Sequence, residues 1–251
     1  IHFSFFFFVL VCYHNINYNT NIIIEEKSTF SFHDPLKVTI FVSYKHLRII
    51  FMQNKVVIIT GASSGIGKAL VYEFAKRGAK IAMGARNLDE LQKIETDLKS
   101  RGVDALSVQT DVTRELDCKN LVEKTVERFG KIDVLVNNAG ISMRALFEDL
   151  ELDVIRRLMD VNFWGTVYCT KFALPYILKT KGSLVGIISV AGFLGLPGRT
   201  GYSASKFAVR GFLNTLRVEN LKKGLHVLVA APGFTASNIR KTALVADGHQ
   251  Q

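Results

Sequence analysis

Short apolar runs alternate with longer segments of helical periodicity between residues 55 and 230. The first run, Lys55-Val-Val-Ile-Ile-Thr60, is rich in β-branched residues, and the runs predict strands at 55–60, 80–84, 105–110, 133–137, 183–188 and 226–230. Apolar residues at helical spacing between the runs predict helices near 66–77, 87–100, 113–129, 150–179 and 202–222. Strands that alternate with helices indicate an α/β fold in a single domain, with a doubly wound, Rossmann-like parallel sheet flanked by helices.

A glycine-rich turn follows the first predicted strand, in the segment Thr60-Gly-Ala-Ser-Ser-Gly-Ile-Gly67. Strand, glycine turn and helix in this order are what a dinucleotide-binding loop requires. Gly61 and Gly65 permit a tight turn close to a pyrophosphate, and Gly67 permits close packing of the helix. The N-terminus of that helix offers backbone N–H groups and a positive dipole end to phosphates.

Tyr202 and Lys206 are four residues apart in a predicted helix, so their side chains project from the same face. A free phenol has a pKa near about 10, which is too high for acid–base work at neutral pH. A neighbouring ammonium favours the phenolate, and we expect Lys206 to lower the pKa of Tyr202. Ser189 follows the fifth predicted strand, 13 residues before Tyr202.

The motifs resemble those of the short-chain dehydrogenase/reductase family, from about Lys55 to the end of the chain. The matching positions are Thr60, Gly61, Gly65, Gly67, Asn137-Asn138-Ala139-Gly140, Asn162, Ser189, Tyr202, Lys206 and Pro232-Gly233. The resemblance implies a nicotinamide-dependent oxidoreductase that acts on CH–OH and C=O groups. It also implies cofactor contacts from Ser63, Ser64, Ile66, Arg86, Asp111, Val112, Asn138, Ala139, Gly140, Tyr202, Lys206, Pro232, Gly233 and Thr235.

The end of the second predicted strand favours NADP over NAD. Proteins of this architecture that prefer NAD place an acidic residue near this point, where it binds the ribose 2′-hydroxyl. This chain has Ala85 and Arg86 instead, and a guanidinium can hold a 2′-phosphate with a bidentate fork. By resemblance, Asp111 accepts a hydrogen bond from the adenine amino group, although it could also cap the following helix. Asn138 is expected to contact the adenosine ribose.

The resemblance also assigns the chemistry. Tyr202 donates or removes the proton, Lys206 binds the nicotinamide ribose, and Ser189 stabilises the substrate oxygen. Asn162 resembles the family's relay residue, which binds a water that links the lysine to solvent. Two alternatives remain open, a non-catalytic dinucleotide-binding sensor or scaffold and an inactive fragment. An apolar substrate with a ketone or secondary alcohol is expected, against a wall formed by Met143, Phe147, Phe193, Leu194, Leu196 and Pro197.

Composition divides the chain near Met52. Residues 1–51 contain no Gly and no Ala and are dominated by amino acids with AT-rich codons, so we interpret them as translated upstream sequence. A membrane anchor is the rival interpretation, but the apolar run Phe3–Tyr13 is shorter than the roughly 20 residues that cross a bilayer. We therefore predict an N-terminal extension over 1–51 and a dehydrogenase domain over 52–251. That domain is expected to lack the family's last strand.

Three cysteines without CxxC spacing indicate neither a disulfide framework nor a metal site, and Cys169 fits a small core residue. They favour a reducing, cytoplasmic setting. The net charge of +10 is spread over scattered Lys and Arg residues, which indicates a solvated surface and no nucleic-acid partner. A homodimer or homotetramer is expected from the resemblance.

Overall fold

Six parallel strands form the centre of the fold in the computed structural model, which describes residues 52–233, 239 and 242–250. The strands are β1 (Val56–Thr60), β2 (Lys80–Ala85), β3 (Ala105–Gln109), β4 (Val134–Asn137), β5 (Ser183–Ile187) and β6 (His226–Ala230). They lie in the order β3-β2-β1-β4-β5-β6. The predicted doubly wound, Rossmann-like sheet is confirmed, with all six strands within about two residues of their predicted bounds.

Six α-helices connect and cover the strands in this part of the chain. They are α1 (Gly65–Lys76), α2 (Leu88–Ser100), α3 (Glu115–Phe129), α4 (Leu152–Leu158), α5 (Gly165–Lys179) and α6 (Thr200–Glu219). The prediction of one helix over 150–179 is wrong in one respect, because a π-helical turn at Met159–Trp164 separates α4 from α5. Three short 3₁₀ turns, at Phe147–Asp149, Val190–Gly192 and Leu221–Lys223, were not predicted.

Alternate side chains of the central strand β1 pack into two hydrophobic cores, one on each face of the sheet. Ile58 packs with buried residues of α3, α5 and α6, among them Leu121, Cys169 and Leu213. Its neighbours Val57 and Ile59 pack with buried residues of α1 and α2 on the opposite face. Because strands with helices on both faces are buried on both, every side chain of β1 is buried, as its β-branched run predicts.

The strand order creates a crevice between β1 and β4. Successive strands are added outward from β1 to β2 and β3, and then from β4 to β5 and β6 on the other side. Connections therefore leave the carboxyl ends of β1 and β4 in opposite directions, which opens the sheet at this edge. In the described part of the chain, no helix combines the length and apolar character needed to cross a bilayer.

Candidate active site

A cleft of about 1090 Å³ lies at the carboxyl ends of the strands. Its lining includes most of the residues that the sequence predicts for the site: Gly61, Ser63, Ser64, Gly65, Ile66, Arg86, Asp111, Val112, Asn138, Ala139, Gly140, Ser189, Tyr202, Lys206, Pro232 and Gly233. Gly67 and Asn162 are buried behind this lining. Thr235 lies outside the described residues.

The glycine turn between β1 and α1 approaches β4 too closely for side chains. A Cβ atom on Gly61 would stand 2.9 Å from the Ala139 Cα, and one on Gly67 would stand 2.2 Å from the Gly61 carbonyl oxygen. Gly61 and Gly65 also adopt left-handed backbone conformations, with φ of 64° and 53°. The turn therefore presents bare backbone and the first residues of α1 to the cleft, which fits a pyrophosphate.

Thr60 and Asn138 fasten the glycine turn to the end of β4. The Thr60 hydroxyl accepts hydrogen bonds from the backbone N–H groups of Asn138 and Ala139, at 3.0 and 3.1 Å. The Asn138 amide nitrogen donates to the carbonyl oxygens of Thr60 and Gly61, at 2.9 and 3.2 Å. Asn138 thus holds the turn in place, and its contact with a ribose stays a prediction.

The residues predicted to contact the adenosine part of the cofactor, Arg86 and Asp111, follow β2 and β3 and line the cleft. Arg86 is exposed directly after β2, and its carbonyl accepts a hydrogen bond from Gln109 at 3.1 Å. A carboxylate oxygen of Asp111 accepts from both the backbone N–H and the hydroxyl of Thr113, at 3.0 and 2.8 Å. Asp111 therefore shapes the approach to α3. The N-cap position of α3 is occupied by Arg114, and not by Asp111 or Thr113.

Ser189, Tyr202 and Lys206 meet on the opposite side of the cleft. The Ser189 hydroxyl accepts a hydrogen bond from the Ala191 N–H at 3.2 Å, which fixes its position after β5. Lys206 is buried, and its ammonium donates to the Ile187 carbonyl at 3.0 Å and lies 5.9 Å from the centre of the Tyr202 ring. The predicted helical spacing thus places both side chains on the face of α6 that borders the cleft.

Burial shifts the pKa values of both groups. It raises the pKa of the Tyr202 phenol above its ordinary value, while a hydrogen bond with Ser189 and the charge of Arg199 act in the opposite direction. Burial lowers the pKa of Lys206 from 10.5 to about 8. The expected lowering of the Tyr202 pKa by Lys206 is therefore not found, because removal of the phenol from water outweighs the charges around it.

Asn162 lies in the π-helical turn and faces the loop after β4. Its side-chain oxygen accepts from the Ile141 N–H at 2.8 Å, and its amide nitrogen donates to the Ile141 carbonyl and the Ser205 hydroxyl, at 3.0 and 2.9 Å. The amide thus joins the end of β4 to α6, and a role in proton relay stays a prediction. A wide turn of this kind is frequent at functional sites.

The predicted substrate wall is only partly correct. Leu196 lines the cleft, but Met143 is fully buried and packs beneath it in a cluster with Tyr202 and Leu244. Phe147, Phe193, Leu194 and Pro197 are exposed and do not line the cleft. Loops and the short 3₁₀ turn at Phe147–Asp149 hold these residues, and the sequence carries no periodicity that could orient their side chains.

Several cleft residues were not predicted, and they come mainly from three places. Arg157 and Asp160 reach the cleft from α4 and the π-helical turn, Arg199 lies at the start of α6, and Thr242 and Leu244 follow β6. Of these residues, only Arg199 could have been noticed in the sequence. A positive charge just before a helix is unfavourable with the helix dipole, so its presence there indicates a role outside the helix.

The fold and the cleft define a dinucleotide-binding protein with a tyrosine–lysine pair beside the cofactor region. A family model for short chain dehydrogenases matches residues 55–246. The chain belongs to the short-chain dehydrogenase/reductase family.

Curated plant proteins are similar to the chain. The "11-beta-hydroxysteroid dehydrogenase-like 2" of Arabidopsis thaliana is 42% identical over 197 residues, which are 78% of this chain and 64% of that protein. The "11-beta-hydroxysteroid dehydrogenase A" of Sesamum indicum is 42% identical over 188 residues, 74% of this chain and 54% of that protein. The chain thus spans less than two thirds of the length of these relatives.

Two solved structures share the fold. A short chain dehydrogenase/reductase from Burkholderia phymatum in complex with NAD has a TM-score of 0.73 and 28% identity, covering 76% of this chain and 69% of its own. An alcohol dehydrogenase from Thermococcus sibiricus, complexed with 5-hydroxy-NADP, has a TM-score of 0.72 and 30% identity, covering 77% and 86%. A nicotinamide dinucleotide is thus the cofactor class of both structural neighbours.

Proposed function

We propose that the protein is an NADP-dependent oxidoreductase that interconverts a ketone and a secondary alcohol on an apolar substrate. The observation that carries the proposal is the convergence of the glycine turn with Ser189, Tyr202 and Lys206 on one cleft. Turn and helix N-terminus fit the pyrophosphate, and the three side chains fit the handling of one proton. A dinucleotide sensor requires the glycine turn and the helix N-terminus, but it does not require three proton-handling side chains beside them.

The protein's own task in this reaction is to place the carbonyl and to move one proton. The nicotinamide, when bound, supplies or accepts the hydride. The ordinary pKa of a phenol, near about 10, already leaves Tyr202 protonated at neutral pH, and burial shifts the pKa further upward, so Tyr202 can donate to the oxygen of a carbonyl that is being reduced. The Ser189 hydroxyl stabilises charge on that oxygen, and Lys206 holds a positive charge beneath it.

Features of the cleft support an apolar substrate body. Val161, Leu196 and Leu244 line it, and Leu196 and Leu244 pack in the same cluster as Tyr202. The plant relatives are named as 11-beta-hydroxysteroid dehydrogenases or as like them, so a steroid is the first substrate class to test. An 11-keto steroid with NADPH, and its 11β-hydroxy counterpart with NADP, should change the absorbance of the nicotinamide. Binding of NADPH without turnover of any ketone or alcohol in a wider panel would favour the sensor alternative.

Arg86 supports NADP as the preferred cofactor. The guanidinium is exposed at the point where Ala85 takes the place of an acidic residue, and the Ser63 hydroxyl lines the same cleft. Arg86→Ala should weaken NADP binding by roughly ten- to a hundredfold, the effect of losing a charge-assisted contact. The affinity for NAD should change little, and Ala85→Asp should move the preference toward NAD. Equal losses for both cofactors in a fluorescence titration would refute the assignment.

Self-association in the cytoplasm also remains our proposal. Large apolar side chains are exposed near the start of α5 and along α6, among them Trp164, Phe207 and Val218. Scattered apolar residues are normal on a protein surface, but exposed aromatic side chains on the π-helical turn and on α6, two segments in contact, favour a homodimer or homotetramer. The partners of the cleft itself are small molecules.

A further inference from the structure

Arg199 lies between the helix that carries Tyr202 and the loop that closes the cleft. One of its terminal nitrogens donates to the Ser142 hydroxyl at 2.6 Å and also to the Met143 carbonyl oxygen. Ser142 is buried, and Arg199 is half-buried directly before α6. The guanidinium therefore joins the start of α6 to the segment after β4.

The same loop is paired with the chain that follows β6. The Leu244 N–H donates to the Ser142 carbonyl at 2.9 Å, and the Arg144 N–H donates to the Leu244 carbonyl at 2.8 Å. Leu244 and Met143 pack with Tyr202 in one buried cluster. Arg199 thus connects two parts of the cleft wall to the turn of helix that precedes the phenol.

The helix dipole does not favour an arginine at this position. A cation at the N-terminus of a 20-residue helix is opposed by the helix dipole. Arg199 nevertheless lines the cleft, and its charge acts on the Tyr202 phenol in the direction that favours ionisation. Among the described residues, the Lys206 ammonium lies near the Tyr202 ring on the same helix, and the charged side chains Arg157 and Asp160 line the same cleft.

We infer that Arg199 is a positioning residue for the reaction: it fixes Tyr202 against the substrate wall and keeps a positive charge beside the phenol. The inference rests on the proposed function, in which Tyr202 transfers the proton. It assigns two separable contributions to one side chain, the hydrogen bonds to Ser142 and Met143 and the charge.

Three variants of the 251-residue protein separate these contributions. Arg199→Gln removes the charge and shortens the reach, whereas Arg199→Lys keeps the charge but loses the planar fork and some length. Arg217→Gln is the matched control, because Arg217 lies on the same helix, donates to the Val227 carbonyl and does not line the cleft. Arg199→Met serves as the neutral variant if Arg199→Gln does not fold.

Ionisation of Tyr202 is measured without any substrate, from the near-ultraviolet absorbance of tyrosinate. Each variant is compared with the same variant carrying Tyr202→Phe, so that only this phenol contributes to the difference. We expect Arg199→Gln to raise the pH at which Tyr202 ionises, because a positive charge that favours the phenolate is removed. Arg199→Lys and Arg217→Gln should ionise as the wild type does. An unchanged ionisation in the neutral variant would overturn the charge contribution.

Turnover tests the hydrogen bonds, with NADPH and an 11-keto steroid as the first substrate pair. Arg199→Gln and Arg199→Lys should both lower kcat by about tenfold or more, since small displacements of a catalytic group are costly. Their affinity for NADPH should stay within about twofold of the wild type. A wild-type kcat in Arg199→Lys would overturn the positioning role. If the wild-type protein reduces no ketone, the proposed function fails, and the ionisation measurement alone still decides the charge contribution of Arg199.

Discussion

Lys206 shows how a single residue can combine a functional charge with a cost in stability. Its side chain is buried, and its described hydrogen bond is to the neutral carbonyl of Ile187. Desolvation therefore lowers its pKa from 10.5 to about 8. At neutral pH the group is still mostly protonated, so the cleft keeps its positive charge at the expense of folding free energy.

A pH dependence of stability follows from this shift. Between about pH 8 and the unfolded value of 10.5, the unfolded chain binds the proton of Lys206 and the folded chain does not. The free energy of unfolding should therefore rise with pH in this window, by roughly 3 kcal/mol for this group alone.

Comparison with Lys206→Met isolates that contribution, because all other titrating groups are shared. Urea unfolding should show Lys206→Met as the more stable protein near neutral pH, with the gap narrowing as the pH approaches about 10. A gap that does not vary with pH would contradict the burial of an ammonium at this position.

At the scale of elements, Asp133 organises the start of the sheet, at the end opposite the cleft. Its buried carboxylate accepts hydrogen bonds from the Lys55 ammonium and the Val56 N–H, both at 2.9 Å, and forms an ion pair with Lys131 at 2.8 Å. Burial acts to raise the pKa of Asp133, but the contacts with Lys131, Val56 and Lys55 outweigh it and lower the pKa below its ordinary value. The Asp133 side chain thus ties the start of β1 to the residue that precedes β4.

Asp133→Asn should lower the free energy of unfolding at neutral pH by about 1–3 kcal/mol, because charge-assisted hydrogen bonds are lost in a buried position. In the wild type, the contribution should be present above the ordinary carboxyl pKa and lost as the pH falls through the lower folded value. Urea midpoints of both proteins across this acidic range measure it. A constant difference between them down to the most acidic pH would show that the carboxylate charge is not what stabilises the strands.

Elements were predictable where one local signal determines them. The β-branched run of β1 and the glycine turn after it specify their structures within a few residues of sequence. The break between α4 and α5 carries no such signal, because the π-helical turn places Asn162 against Ile141 and Ser205, partners distant in sequence. Tertiary contacts of this kind override the helical periodicity that predicted one continuous helix.

At the scale of the whole molecule, the sheet order brings six strand ends to one edge, and the site residues follow those ends. Their positions were therefore predictable once the strands and the family motifs were identified. Arg199 and the segment around Leu244 were not, because they reach the cleft through loops whose paths depend on pairing with the chain after β4. The division of the chain at Met52 and the role of residues 1–51 stay predictions from composition.

In the proposed reaction, the cleft binds NADPH and Tyr202 delivers the proton. The most direct measurement is the rate of ketone reduction by wild type and Tyr202→Phe, alongside NADPH affinity from nicotinamide fluorescence. Because only the phenolic hydroxyl with its transferable proton is removed, we expect both proteins to bind NADPH with similar affinity and Tyr202→Phe to lose turnover. General acid–base groups contribute roughly a hundredfold or more to the rate. If Tyr202→Phe retained more than about a tenth of the wild-type rate, the result would contradict proton delivery by Tyr202.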